Sequence, residues 1–230
     1  MLLGHNQAWR AWRTAMSGER MHHAWLLTGR RGVGKGTFAQ AAAKELVGSS
    51  GSDTGQHPDI ITLTYGPKDD KEERKRADGK PFELARSIRI AQVRAMQARL
   101  NTRPTLGDRR AIIIDPADDM ERNAANALLK SLEEPPAGTF FLLVAHSPAR
   151  LLPTIRSRCR ILRFPTIDDA EMDELLLSLA PEADDPTRTA AIAAASGSPG
   201  AALQFVEMEL GKVAQAMQSI LETGDDTFQL

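Results

Sequence analysis

Four short apolar runs punctuate the first two thirds of the chain: Ala24-Trp25-Leu26-Leu27-Thr28, Ile60-Ile61-Thr62-Leu63-Thr64, Ala111-Ile112-Ile113-Ile114-Asp115 and Phe140-Phe141-Leu142-Leu143-Val144. Each is continuous rather than alternating, as a strand buried on both faces requires. Between them the apolar spacing changes to that of a helix. Phe38, Ala41, Ala42 and Leu46 follow the first run. Ser87-Ile88-Arg89-Ile90 leads into Val93, Met96 and Leu100, which share a face with Ile90. Ala125, Leu128, Leu129 and Leu132 are spaced i, i+3, i+4, i+7, and Pro135-Pro136 stops that helix because proline has no N–H to continue the ladder. The order β-α-β-α-β-α-β predicts an α/β fold, a parallel sheet flanked by helices. Gly48-Ser49-Ser50-Gly51-Ser52 reads as a loop, and residues 68–80, charged with both signs, as a solvated hairpin or mobile loop.

After Pro165 only helical patterns remain. Asp168 and Glu171 form a capping box, with Met172, Leu175, Leu176 and Leu179 on one face. A second helix fits Pro186 to Ser196, and a third runs from Pro199 past Phe205. The expected domains are therefore an α/β domain over 1–165, a small all-helical lid over 166–208, and over 209–230 the start of a truncated C-terminal helical region.

Composition narrows the function classes. Of 230 residues 42% are apolar but only 5% aromatic, so the core is built from Leu, Ile, Val and Ala. A formal net charge of −1 supplies no global field toward nucleic acid or an anionic membrane. The single cysteine, Cys159, allows neither an internal disulfide framework nor a thiolate zinc cluster. The start, Met1-Leu2-Leu3-Gly4-His5-Asn6, lacks the pattern of a signal peptide, and no stretch is long and apolar enough to span a bilayer. A soluble cytoplasmic protein is expected.

Gly29-Arg30-Arg31-Gly32-Val33-Gly34-Lys35-Gly36-Thr37 stands between a strand and a helix, where a phosphate-binding loop belongs. Gly29, Gly32 and Gly34 let backbone N–H groups turn toward phosphate oxygens, and Lys35 would reach the β and γ phosphates. The motif asks for Ser or Thr directly after the lysine to hold magnesium. Gly36 occupies that position and Thr37 follows one later, an order shared with some nucleotide kinases. The plain alternative is a glycine-rich turn that binds nothing. Asp115 ends a buried strand, the usual place for an aspartate that supports magnesium. The next residue is Pro116 and not a glutamate able to orient water. Asp115 thus reads as the remnant of a metal site, and ATP hydrolysis at this chain's own site is expected to be weak or absent.

Thr154-Ile155-Arg156-Ser157-Arg158-Cys159 sets an arginine between a serine and the lone cysteine. Taken together with His57-Pro58-Asp59, Asn126-Ala127-Leu128-Leu129-Lys130, Leu132-Glu133-Glu134-Pro135-Pro136 and Gly197-Ser198-Pro199-Gly200-Ala201-Ala202, it resembles the bacterial clamp-loader subunits of DNA polymerase III, most closely the delta-prime family. The resemblance covers the chain up to about residue 205. It implies a P-loop AAA+ domain followed by a helical lid. It also implies a five-subunit loader that opens the sliding clamp and places it on primed DNA, with motor subunits and a delta subunit as partners. In that family the arginine matching Arg158 projects into the ATP site of the adjacent motor subunit. A guanidinium there stabilises charge spreading over the γ-phosphate oxygens. By itself an arginine is by default a surface salt-bridge residue, and Arg156 and Arg160 stand close by.

Departures from the family refine the expectation. Many members carry four cysteines before His-Pro-Asp as a zinc module. The corresponding residues 48–56 here contain none, so no zinc and no other bound metal site is expected. Motor subunits place an arginine in the segment matching Gly197 to Ala202, and none is present. ATP or ADP with magnesium is the ligand the loop would take, held weakly. A non-motor subunit is the primary reading. An active motor subunit and a small-molecule kinase, prompted by Gly34-Lys35-Gly36-Thr37, are the alternatives.

Overall fold

The four apolar runs form four strands of one sheet in a computed structural model that describes residues 5–18, 20–48 and 57–223. They are β1 (Ala24–Thr28), β2 (Ile60–Leu63), β3 (Arg110–Ile114) and β4 (Thr139–Ala145). A fifth strand, β5 (Arg160–Arg163), joins them, and the order across the sheet is β2-β3-β4-β1-β5. All neighbours run parallel, with Leu27 opposite Val144 and Ile114 opposite Leu143. Every residue of β3 is buried, as its unbroken Ile run demanded. On β5 only Leu162 is buried, because an edge strand is covered on fewer sides. That is why no apolar run announced it.

The chain divides into two units. The larger comprises Gln7–Gly29 and Lys35–Arg163. Its helices are α1 (Asn6–Met16), α2 (Lys35–Leu46), α3 (Asp70–Ala77), α4 (Ile90–Leu100), α5 (Arg122–Glu133) and the single turn α6 (Pro153–Arg156). Val93, Met96 and Leu100 of α4 and Ala124, Ala125, Leu128 and Leu132 of α5 share one core with Ile112, Ile114, Phe141 and Leu143 of the sheet. On α1, Trp12 is fully buried and meets Trp25 edge-to-face at 5.4 Å.

The charged segment 68–80 is not a hairpin or a loop, since it contains α3. Asp69 caps that helix by accepting from the Glu72 N–H at 3.0 Å. Glu72, 5% exposed, then accepts from Lys75 at 2.7 Å and from the Glu83 N–H at 2.7 Å. With no apolar face, α3 rests on caps and i,i+3 pairs that a hydrophobic pattern does not carry.

His57-Pro58-Asp59 has a structural role. The fully buried Asp59 accepts from the N–H groups of Thr105 at 2.6 Å and Leu106 at 2.8 Å. Arg110 lies 3.8 Å away and closes the α4 end by donating to the carbonyls of Arg99, Thr102 and Arg103. The loop expected over 48–52 and the segment where a zinc module would stand lie, beyond Gly48, outside the described residues.

The second unit comprises, among the described residues, 5–6, Arg30–Gly34 and 164–223. Its helices are α7 (Asp169–Leu179), α8 (Asp185–Ala195), α9 (Pro199–Glu207) and α10 (Leu210–Thr223). Asp168, Asp184 and Ser198 each cap a helix by accepting a backbone N–H. Met172, Leu176, Ala191 and Ala202 form its core. Leu179, grouped by spacing with Met172, Leu175 and Leu176, is instead 53% exposed. It is the last residue of α7, where the apolar face has already turned to solvent.

Candidate functional site

The phosphate loop begins where β1 ends, at Gly29, and Lys35 opens α2. Gly32 has φ +82°, a conformation that L side chains rarely adopt. Lys35 is buried, and its Nζ donates to the Gly29 carbonyl at 2.7 Å. The lysine thus folds back onto its own loop. Burial lowers its pKa to about 8, against the opposing pull of Asp115 and Asp118. Thr37 is exposed on α2.

Gly36 is where the structure adds most to the sequence reading. A β-carbon there would lie 2.5 Å from the Asp115 Oδ2. Asp115, directly after β3, therefore stands against the position from which a magnesium-binding hydroxyl would extend. The missing hydroxyl and the retained aspartate are two aspects of one local packing.

Residues 30–34 make their contacts within the second unit. The Gly200 N–H donates to the Gly32 carbonyl at 2.9 Å. Ser198 Oγ donates to the Arg31 carbonyl at 3.0 Å, and an Arg30 Nη1 donates to the Ser196 carbonyl at 3.0 Å. The Gly-Ser-Pro-Gly segment at the start of α9 is thus tied to the loop backbone, and a β-carbon on Gly32 would lie 2.3 Å from Ser198 Oγ.

The acidic residues after Asp115 are committed elsewhere. Asp118 is buried and accepts from the N–H of His146 at 3.1 Å and that of Ser147 at 2.6 Å, tying the 3-10 turn Ala117–Asp119 to the end of β4. Asp119 accepts from the Tyr65 hydroxyl at 2.5 Å and pairs with Arg150 at 2.8 Å. Both bonding patterns span distant parts of the chain, so no local signal in the sequence marks them.

Arg158 lies at the opposite end of the strands. β5 runs parallel to β1, with Arg160 beside Trp25 and Arg163 beside Thr28. Arg158 precedes β5, at the end where these strands begin, whereas Gly29 and Lys35 follow the end of β1. Four residues of strand separate the two ends by roughly 13 Å at 3.3 Å per residue. The turn carrying Arg158 is anchored by Ile155, fully buried, and by Cys159, which packs on the core. Burial pushes the Cys159 thiol up to about 12, so it is an apolar anchor and not a nucleophile. The neighbouring arginines are distinguished by their surroundings: Arg160 stacks over Trp25 at 5.1 Å, and Arg156 is exposed at the end of α6. Arg158 is 34% exposed in its side chain, with Nη1 donating to the Thr154 carbonyl at 2.9 Å and Nη2 to Glu133 Oε1 at 2.7 Å. Glu133 carried no role in the sequence reading.

Residues 4–168 match the family described as DNA polymerase III, delta subunit. The chain belongs to that family. Among its relatives, the DNA polymerase III subunit delta' of Pseudomonas aeruginosa is 33% identical, over 90% of this chain and 64% of that protein. The subunit delta' of Escherichia coli is 32% identical, over 82% of this chain and 55% of its own length. The chain thus spans less than two thirds of these family members. A DNA polymerase III gamma subunit-related protein of Thermotoga maritima has the same fold, with a TM-score of 0.56 and 22% identity over 94% of this chain and 62% of that one. The fold is that of the P-loop AAA+ proteins. Among the described residues no helix is long and apolar enough to cross a membrane, and no grouping of His, Cys, Asp and Glu could hold a metal ion.

Proposed function

We propose that this chain acts as a non-motor subunit of a DNA polymerase III clamp loader, helping to place the sliding clamp on primed DNA beside motor and delta subunits. In this reading Arg158 is an arginine finger for the ATP site of a neighbouring motor subunit. The observation that carries it is the position of Arg158. It precedes β5 at one end of the strands, while the chain's own phosphate loop follows the neighbouring β1 at the other end. That separation keeps Arg158 from the chain's own loop and supports a role toward a nucleotide on another subunit.

The state of the loop supports the non-motor half of the reading. Asp115 stands against Gly36, and Asp118 is bonded to backbone N–H groups. No carboxylate follows Asp115 to orient water, because Pro116 stands there. Nucleotide binding by Gly29, Gly32, Gly34, Lys35, Gly36, Thr37 and Asp115 is therefore weak.

Reconstitution with the motor and delta subunits tests the reading. Arg158→Ala should leave the melting temperature of the isolated chain within about 2 °C, since its ion pair is half-exposed and worth little to stability. ATP turnover of the assembled loader should fall by at least tenfold, on the scale of a lost arginine finger. Failure to assemble, or unchanged turnover in the assembled variant, contradicts the proposal.

A further inference from the structure

Glu133 is the last residue of α5, and a carboxylate there faces the negative end of the helix dipole, an unfavourable place for it. Its compensation is Arg158, whose Nη2 donates to Oε1 at 2.7 Å. The backbone at Glu133 is set by its neighbours. Leu132 is 1% exposed in the core, the Glu134 N–H closes the helix onto the Lys130 carbonyl, and Pro135-Pro136 prevents continuation. The segment Leu132-Glu133-Glu134-Pro135-Pro136 thus delivers one carboxylate, on a fixed backbone, to the turn that carries Arg158.

We propose that Glu133 is a positioning residue for Arg158, holding its guanidinium in the orientation in which it meets the neighbouring subunit's nucleotide. This inference rests on the finger reading above. The guanidinium has five N–H donors in a planar fork. One goes to the Thr154 carbonyl and one to Glu133, so two acceptors on different elements define its plane and three donors remain for phosphate oxygens. A long arginine side chain loses rotamer freedom when it docks. Anchoring it in advance removes part of that cost from the assembly step. Because guanidinium stays protonated under all ordinary conditions, the adjacent carboxylate orients it without neutralising it. Both side chains are partly open, Arg158 at 34% and Glu133 at 48%, which leaves the free donors accessible to a partner.

The test compares Glu133→Ala, Glu133→Gln and Arg158→Ala, with the Glu133→Ala, Arg158→Ala double variant, in the reconstituted loader. Glu133→Ala should lower kcat by about three- to tenfold with KM for ATP held within twofold, the scale of a misoriented but present group. Glu133→Gln, which keeps an acceptor oxygen at the same reach, should recover at least half of the wild-type kcat. In the Arg158→Ala background, Glu133→Ala should have no further effect, because it acts only through that arginine. Melting of the isolated variants should stay near wild type. Wild-type kcat in Glu133→Ala, or a loss that persists in full without Arg158, overturns the positioning role while leaving the finger intact. Unchanged turnover in Arg158→Ala itself overturns both.

Discussion

At the residue scale, the phosphate loop shows how one substitution changes the meaning of its neighbours. Gly36 stands where a hydroxyl is expected after the lysine, and Asp115 lies against that position. Lys35 donates to the Gly29 carbonyl and is buried. Its pKa of about 8 sets a direction for nucleotide binding. Below that value the ammonium is charged and attracts phosphate, and above it the charge is lost. Calorimetry with ADP and magnesium on the isolated chain should therefore give a dissociation constant weaker than about 100 µM at pH 7. At pH 9 the binding should be weaker still. Tight magnesium-dependent binding, or stronger binding at pH 9, would contradict this account of Lys35 and Gly36.

At the scale of elements, what was legible in the sequence was whatever depends on local periodicity. β3 and α5 were plain because an isoleucine run and an i, i+3, i+4, i+7 spacing each bury a continuous face. β5 and α3 were missed for opposite physical reasons. The edge strand buries only Leu162, and α3 buries no apolar residue at all. The tie between the 3-10 turn and β4 is similarly silent in sequence, because Asp118 accepts from residues 28 and 29 positions away. Asp118→Ala removes a buried carboxylate that accepts from the N–H groups of His146 and Ser147. It should cost about 1–3 kcal/mol, read by denaturant unfolding as a lower midpoint with an unchanged slope. A midpoint equal to wild type would mean that the turn is held by other contacts.

At the scale of the whole molecule, stability of the larger unit depends on the buried Asp59 and Arg110. Burial by itself pushes the Asp59 carboxyl up. The N–H groups of Leu106 and Thr105 and the Arg110 charge outweigh that and hold it below the usual carboxylate range. The sign follows directly. Because the folded-state value is depressed, this stabilisation is complete above the unfolded value near 3.8. It is lost as the pH falls through the lower folded value. Asp59→Ala strands the Arg110 charge in the interior and should cost about 3–5 kcal/mol at pH 7. Thermal unfolding across a pH series should show the gap between variant and wild type constant from pH 7 to about 5 and narrowing as acid protonates the wild-type Asp59. A gap that widens in acid would assign the stabilisation to another group.

The sequence by itself determined the sheet's central strands, the helices with apolar faces, the altered phosphate loop and the family, since each is written in short contiguous segments such as Gly29 to Thr37 and Ser157-Arg158-Cys159. It also singled out Arg158, but not what holds it. Only the tertiary structure decided that. The parallel pairing of β5 with β1 sets Arg158 and the chain's own loop at opposite ends of the two strands. The end of α5 brings Glu133 to the guanidinium, and Asp115 comes to rest against Gly36. The physical reason is common to all three. Local periodicity reports which face of a segment is buried, whereas strand order and helix ends decide which distant side chains meet.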